Sequence, residues 1–143
     1  MLSSIAENEQ RIKKIFKFYD KDLGFYALQL YLEGKPITMV VDDQIPCMKG
    51  TNEPLFSKPR TPETWVMIFE KAWVKMFGNY LAAEKMSCFH MFENVLPAPC
   101  TQDMVDVSKI DETFDKFVEY DKKNYIMTAS SIGGQPVPPG IVE

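Results

Sequence analysis

The residues of this 143-residue chain best suited to nucleophilic or metal chemistry are three cysteines, Cys47, Cys88 and Cys100, and a single histidine, His90. A thiol hydrolase needs a thiolate within reach of an imidazole. Cys88 and His90 lie two positions apart, and on a helix such positions point to different faces, so they do not make a nucleophile and base. Cys100 lies beyond two prolines, and the set Cys88, His90, Cys100 matches no zinc-ligand spacing. The four read as small apolar thiols and a partly exposed imidazole. Asp42-Asp43 could offer oxygens to a hard cation, but calcium takes six or more and the EF-hand spacing is absent. The pair reads instead as an acceptor for the backbone of the loop that follows. Gly133-Gly134 lacks the GxGxxG spacing and a following helix, so it is no phosphate cradle. Nothing intrinsic to these residues assembles an active site.

The elements that must position them follow from periodicity. Leu2, Ile5, Ile12, Ile15, Phe16 and Tyr19 recur at a helical period, which predicts one helix to about Phe18. From Gly24 the period becomes two. Tyr26, Leu28, Leu30 and Leu32 share a face, Glu33-Gly34-Lys35 supplies a turn, and Ile37, Met39 and Val41 return, which predicts a β-hairpin. Prolines 46, 54, 59 and 62 with Gly50 make the next stretch a long loop, relieved by a short strand at Leu55-Phe56. Thr61 then reads as a helix cap with Pro62 in the first position, Glu63 at the positive end of the dipole and Gly78 as the stop. Trp65, Ile68, Phe69, Ala72, Trp73 and Met76 form that helix's apolar stripe, with both indoles expected to be buried. Tyr80 to Val95 reads as helical, and a helix capped near Ser108 should turn Ile110, Phe114, Phe117 and Val118 inward through Tyr120. Strands are expected at Tyr125 to Ser130 and at Ile141 to Glu143, on either side of a Gly- and Pro-rich loop.

Composition sets outer bounds. Sixteen Lys and Arg against 20 Asp and Glu give a net charge of −4 with no basic block, which argues against nucleic acid as a partner. No apolar run approaches the length of a transmembrane segment, and the opening nine residues lack the basic start of a signal peptide. An odd number of irregularly spaced cysteines argues for reduced thiols and a cytoplasmic location.

Three stretches together resemble the protease core of calpains, the calcium-dependent cysteine endopeptidases of papain-like fold. Gly24-Phe25-Tyr26-Ala27-Leu28-Gln29-Leu30-Tyr31, with Gly34 and Val40-Val41-Asp42-Asp43-Gln44-Ile45-Pro46, resembles the family's hairpin ending in Val-Val-Asp-Asp-x-x-Pro. The run from Glu63-Thr64-Trp65 through Phe69-Glu70-Lys71-Ala72-Trp73-Val74-Lys75 to Gly78-Asn79-Tyr80 is similar to the family's Glu-Phe-Trp-x-x-Leu-Leu-Glu-Lys-Ala-Tyr-Ala-Lys-x-x-Gly-x-Tyr. Leu2-Ser3-Ser4-Ile5-Ala6 resembles the residues directly after the nucleophile in the family's Gly-Asp-Cys-Trp-x-Leu pattern. The likeness is strong from Leu2 to Tyr80 and collinear but thinner to Glu143.

The resemblance implies an α+β chain with the papain-like cysteine protease fold. Residues 1–143 would be part of a calpain-type catalytic domain, about 1–100 the helical subdomain and about 101–143 the start of the β-rich one. The parent protein would cleave protein or peptide substrates. No catalytic residue is assigned to this chain: the family's cysteine aligns just before Met1, its oxyanion glutamine further upstream, and its Gly-His-Ala-Tyr histidine just beyond Glu143. His90 matches no catalytic position. Calcium would belong to the parent protein, with Glu63 matching one acidic ligand of the family's first site and no tight binding expected of this chain alone. Substrate contact falls on Lys85 and Met86, which replace a glycine pair that hydrogen-bonds substrate through its backbone, while Leu96-Pro97-Ala98 replaces a later Thr-Gly-Gly. Proline cannot donate a backbone hydrogen bond. These replacements leave open a second reading, a non-catalytic calpain-like scaffold with a decayed cleft.

Overall fold

Helix formation begins at Leu2 and stops well short of Phe18. A computed structural model of the chain describes residues 2–58, 63–84 and 86–130. Instead of one helix there are two, α1 (Leu2–Ala6) and α2 (Glu9–Ile15), followed by a strand, β1 (Phe16–Asp20). Asn8 causes the first break. Its backbone is extended and its side-chain oxygen accepts from the Gln10 amide at 2.9 Å, satisfying a donor that α2 leaves open. Phe16 is already extended, and the aromatic run Phe16-Lys17-Phe18-Tyr19 pairs as a strand, because cross-strand contact offers these rings more than another helical turn would.

The hairpin forms as its alternation predicts: β2 (Phe25–Leu32) and β3 (Lys35–Asp42) are antiparallel, with Tyr26 opposite Val41 and Leu30 opposite Ile37. The turn is tighter than expected, the two residues Glu33 and Gly34 with φ of 51° and 73°, and Lys35 belongs to the strand. Two positive φ values in a two-residue loop are those that match the twist of the strands. β1 pairs with the other side of β2, with a register shift between Phe16 and Phe18, so the sheet order is β1-β2-β3. Between β1 and β2, Asp20 accepts from the amides of Asp22 and Leu23, and Gly24 holds φ of +66°. A Cβ at Gly24 would stand 2.8 Å from the Asp43 carboxylate, which would have to shift, and the positive φ itself disfavours any other residue.

One face of the sheet is covered. Leu28, Leu30 and Val41 are buried there against Ile68, Phe69, Ala72 and Trp73 of α3 (Trp65–Phe77), Phe92 and Val95 of α5 (Cys88–Val95), and Ile5 and Ile15 of α1 and α2. α3 begins at Trp65, with Thr64 in the cap position and making no side-chain capping bond; Thr61 and Pro62 lie outside the described residues. Trp73 is buried at 4% exposure, while Trp65 is only partly buried at the rim of the core. Gly78 ends the helix with φ of 92°. The loop before α3 holds no strand at Leu55-Phe56. A bridge joins Cys47 and Pro54, Phe56 stacks on Tyr80 at 3.7 Å between ring centroids, and Ser57 donates from its hydroxyl and its amide to the Glu70 carboxylate.

The stretch expected to be helical from Tyr80 to Val95 divides into α4 (Tyr80–Glu84) and α5, because Ser87 turns extended to cap α5. A 3₁₀ turn, Val107–Lys109, capped by Asp106 rather than Ser108, leads into α6 (Ile110–Lys122). Here the inward face is corrected: Ile110, Phe114, Phe117 and Val118 are all exposed, and α6 buries no residue. Amphipathicity states that a face favours cover, not that the neighbouring chain supplies it. Nor do residues 125–130 form a strand; the Tyr125 amide is taken by the Tyr120 carbonyl at the end of α6, and Ile126 packs at the edge of the core. The expected loop from Gly133 and strand from Ile141 lie outside the described residues. With helices and one three-stranded antiparallel sheet, the chain is α+β.

Candidate functional site

All three cysteines are free thiols. Cys47 is exposed and its Sγ donates to the Ile45 carbonyl, while Cys100 donates to the Ala98 carbonyl. Burial pushes the Cys100 thiol up, and the nearby Glu93 carboxylate adds to the shift, so it carries less thiolate than an ordinary cysteine. His90 is exposed and its Nδ1 shares a hydrogen bond of 2.8 Å with Ser87 Oγ, the hydroxyl that also caps α5. Among the described residues no thiol is hydrogen-bonded to the imidazole. Among the described residues the ring has no carboxylate partner of the kind that orients a hydrolytic Ser–His pair.

The aspartate pair at the end of β3 is structural. Asp42 Oδ1 accepts from the Gln44 amide at 2.9 Å and from Lys71 Nζ of α3. The Lys71 ammonium, with help from the Gln44 amide, holds the Asp42 carboxyl below its usual range. Lys71 also donates to the Gln44 carbonyl and Lys75 to the Val40 carbonyl, each at 2.7 Å. Two lysines one turn apart thus tie α3 to β3. Their signal in the sequence is the i, i+4 spacing beside the apolar stripe, which marks a shared face without naming its partner.

Glu63 stands before α3 rather than in its first turn. It is exposed, and its Oε2 accepts from the Trp65 indole N–H at 2.9 Å, which satisfies the polar edge of a half-buried ring. A single carboxylate supplies at most two of the six to eight oxygens that calcium takes. No group of three or more potential metal-ligating side chains gathers among the described residues. Of the two residues matched to substrate contact, Lys85 lies outside the described residues. Met86 is half-buried against the core and its amide donates to the Ala83 carbonyl at 3.3 Å. Leu96 to Cys100 border a cavity of about 380 Å³ with Tyr31, Gly34 and Glu93. Among the described residues Glu63, Met86 and His90 share no hydrogen bond, each being taken up by a partner of its own. No helix of the described residues is long and apolar enough to cross a membrane.

Comparison with known proteins adds what the geometry lacks. The family model described as calpain family cysteine protease matches residues 1–137. The chain is 41% identical over 64 residues to the calpain-type cysteine protease DEK1 of Zea mays, a match covering 44% of this chain and 3% of that protein. It is 38% identical over 58 residues to calpain-7 of Homo sapiens, covering 40% of this chain and 7% of the relative. The match to the calpain-2 catalytic subunit of Gallus gallus is 29% over 98 residues, 65% of this chain and 14% of that subunit. The chain thus spans a small fraction of the length of these relatives. No solved structure gives a significant match.

Proposed function

The chain belongs to the calpain family of cysteine proteases, and from that premise we propose that residues 1–143 are a segment of a papain-like, calpain-type endopeptidase domain that cleaves protein or peptide substrates in the cytoplasm. About residues 1–100 are its helical subdomain and about 101–143 begin the β-rich one. The nucleophile and the imidazole come from chain beyond these residues. The observation that carries this reading is the family match across residues 1–137. The segment's part is architectural. It supplies the helix that follows the nucleophile and the sheet and Trp-rich helix that brace it. Calcium belongs to the parent protein, with Glu63 as one oxygen donor at the surface. Lys85 and Met86 border the substrate.

The 143-residue chain should hydrolyse no peptide, with or without calcium, and a thiol-reactive peptide inhibitor should label none of its cysteines selectively. A longer polypeptide with a Cys-Trp ahead of Met1 and a Gly-His after Glu143 should be labelled at the added cysteine. Peptidase activity in the short chain that vanished on Cys88→Ala or His90→Ala would overturn the proposal. The second reading, a non-catalytic scaffold, is favoured by Pro97 and Pro99 in the loop that borders the 380 Å³ cavity, since neither position has an amide to donate to substrate. It is recognised by a longer polypeptide that folds and is not labelled.

A further inference from the structure

Arg11 joins parts of the chain 113 residues apart. It lies on α2, its side chain is 13% exposed, and its two terminal nitrogens serve different elements. Nη1 donates to the Ser4 carbonyl of α1 at 3.0 Å and lies 3.4 Å from the Glu7 carboxylate. Nη2 donates to the Asn124 carbonyl at 3.1 Å and to its Oδ1 at 2.9 Å. The fixed planar fork of a guanidinium lets one side chain grip both, which an ammonium cannot reproduce.

Asn124 is built to be gripped. It follows α6 in the left-handed region at φ of 57°, with its amide on the Asp121 carbonyl and the Tyr125 amide on the Tyr120 carbonyl, and Tyr120 stacks on Tyr125 at 5.6 Å. These are the two bonds and the apolar contact of a Schellman helix stop. That turn aims both the carbonyl and the side-chain oxygen of Asn124 at Arg11. α6 itself buries nothing, so its direction depends on what holds its end. Beside the junction, Ser4, Glu7, Asp121 and Tyr125 border an open cleft of about 390 Å³.

We infer that Arg11 is a positioning residue, a latch that fixes α6 and the chain following it relative to α1. The inference rests on the subdomain division proposed above. In that division α1 follows the nucleophile and Asn124 lies within the half that leads to the imidazole, so the latch sets the width of the catalytic cleft. Arg11 touches no substrate and acts only through this spacing.

Hydrogen exchange followed by mass spectrometry on the 143-residue chain tests it. Arg11→Gln should speed exchange across residues 121–128 about tenfold, as expected when a charged donor of this kind is lost, and leave α3 unchanged. Arg11→Lys should restore the protection only in part. Asn124→Gly keeps the left-handed turn and removes one acceptor, so it tests the latch even if Arg11→Gln disturbs α2. In that background Arg11→Gln should have a smaller effect than in the wild type. Unchanged exchange across 121–128, or equal acceleration of α3, would overturn the inference. In an active longer polypeptide Arg11→Gln should lower kcat more than it raises KM. Failure of every longer polypeptide to cleave peptides would overturn the family-based function and leave the exchange result, which decides the latch, standing.

Discussion

At the scale of single residues Asp42 contributes to the acid limb of stability. Its carboxyl is held low in the folded chain by Lys71 first and the Gln44 amide second, whereas in the unfolded chain it titrates near its usual value of about 3.9. Below that value the unfolded state binds more protons, so the stabilisation is complete above about pH 4 and is lost as pH falls through the folded value. Asp42→Asn should therefore flatten the fall in melting temperature below pH 4. Asp106, held low by Ser108, and Glu119, held low by Lys123, share the direction, so the variant should retain part of the fall. A wild-type curve as flat as the variant's would remove Asp42 from the account. The group is exposed and screened, so the effect is modest. His90 shows the other side of residue-scale reading: its spacing from Cys88 excluded a catalytic pair, yet its real partner, Ser87, is visible only once the Ser87 hydroxyl is seen to cap α5.

At the scale of elements, α3 and α6 are each 13 residues long and amphipathic, yet they differ in what covers them. Trp73 is buried in a ladder with Phe69 and Phe77, so Trp73→Ala should cost roughly 3–5 kcal/mol by denaturant titration. Phe117 is 45% exposed, and Phe117→Glu should move the stability of this chain by no more than about 0.5 kcal/mol. Equal costs would mean that α6 is packed in solution. The same contrast explains what the sequence could reveal. The alternation of β2 and β3 and the stripe of α3 carry both the element and its buried face, because hairpin and helix cover each other within about 50 residues. Ile12, Ile15, Phe16 and Tyr19 continue one helical spacing from α2 into β1, and pairing with Ala27 and Tyr26 makes Phe18 and Tyr19 a strand. For α6 the pattern gives the helix and not its partner. The family's blocks were legible over Leu2 to Tyr80. The grip of Arg11 on Asn124 was not, since no local pattern encodes a contact across 113 residues.

At the scale of the whole molecule, calcium binding is a matter of how many oxygens one body can assemble. Glu63 offers one carboxylate, part of whose capacity is used by the Trp65 indole, so calorimetry on this chain should show weak binding or none. Micromolar, stoichiometric binding abolished by Glu63→Gln would show that the chain completes the site by itself. The sheet carries a further consequence. Among the described residues β1 and β3 are edges, and an edge presents a row of backbone donors and acceptors to which a strand of another molecule can add. Here each row is interrupted. The register shift beside Lys17 disturbs the pairing geometry of β1, Pro36 offers no donor in β3, and Lys75 occupies the Val40 carbonyl. Interruptions of this kind disfavour strand-by-strand addition at either edge.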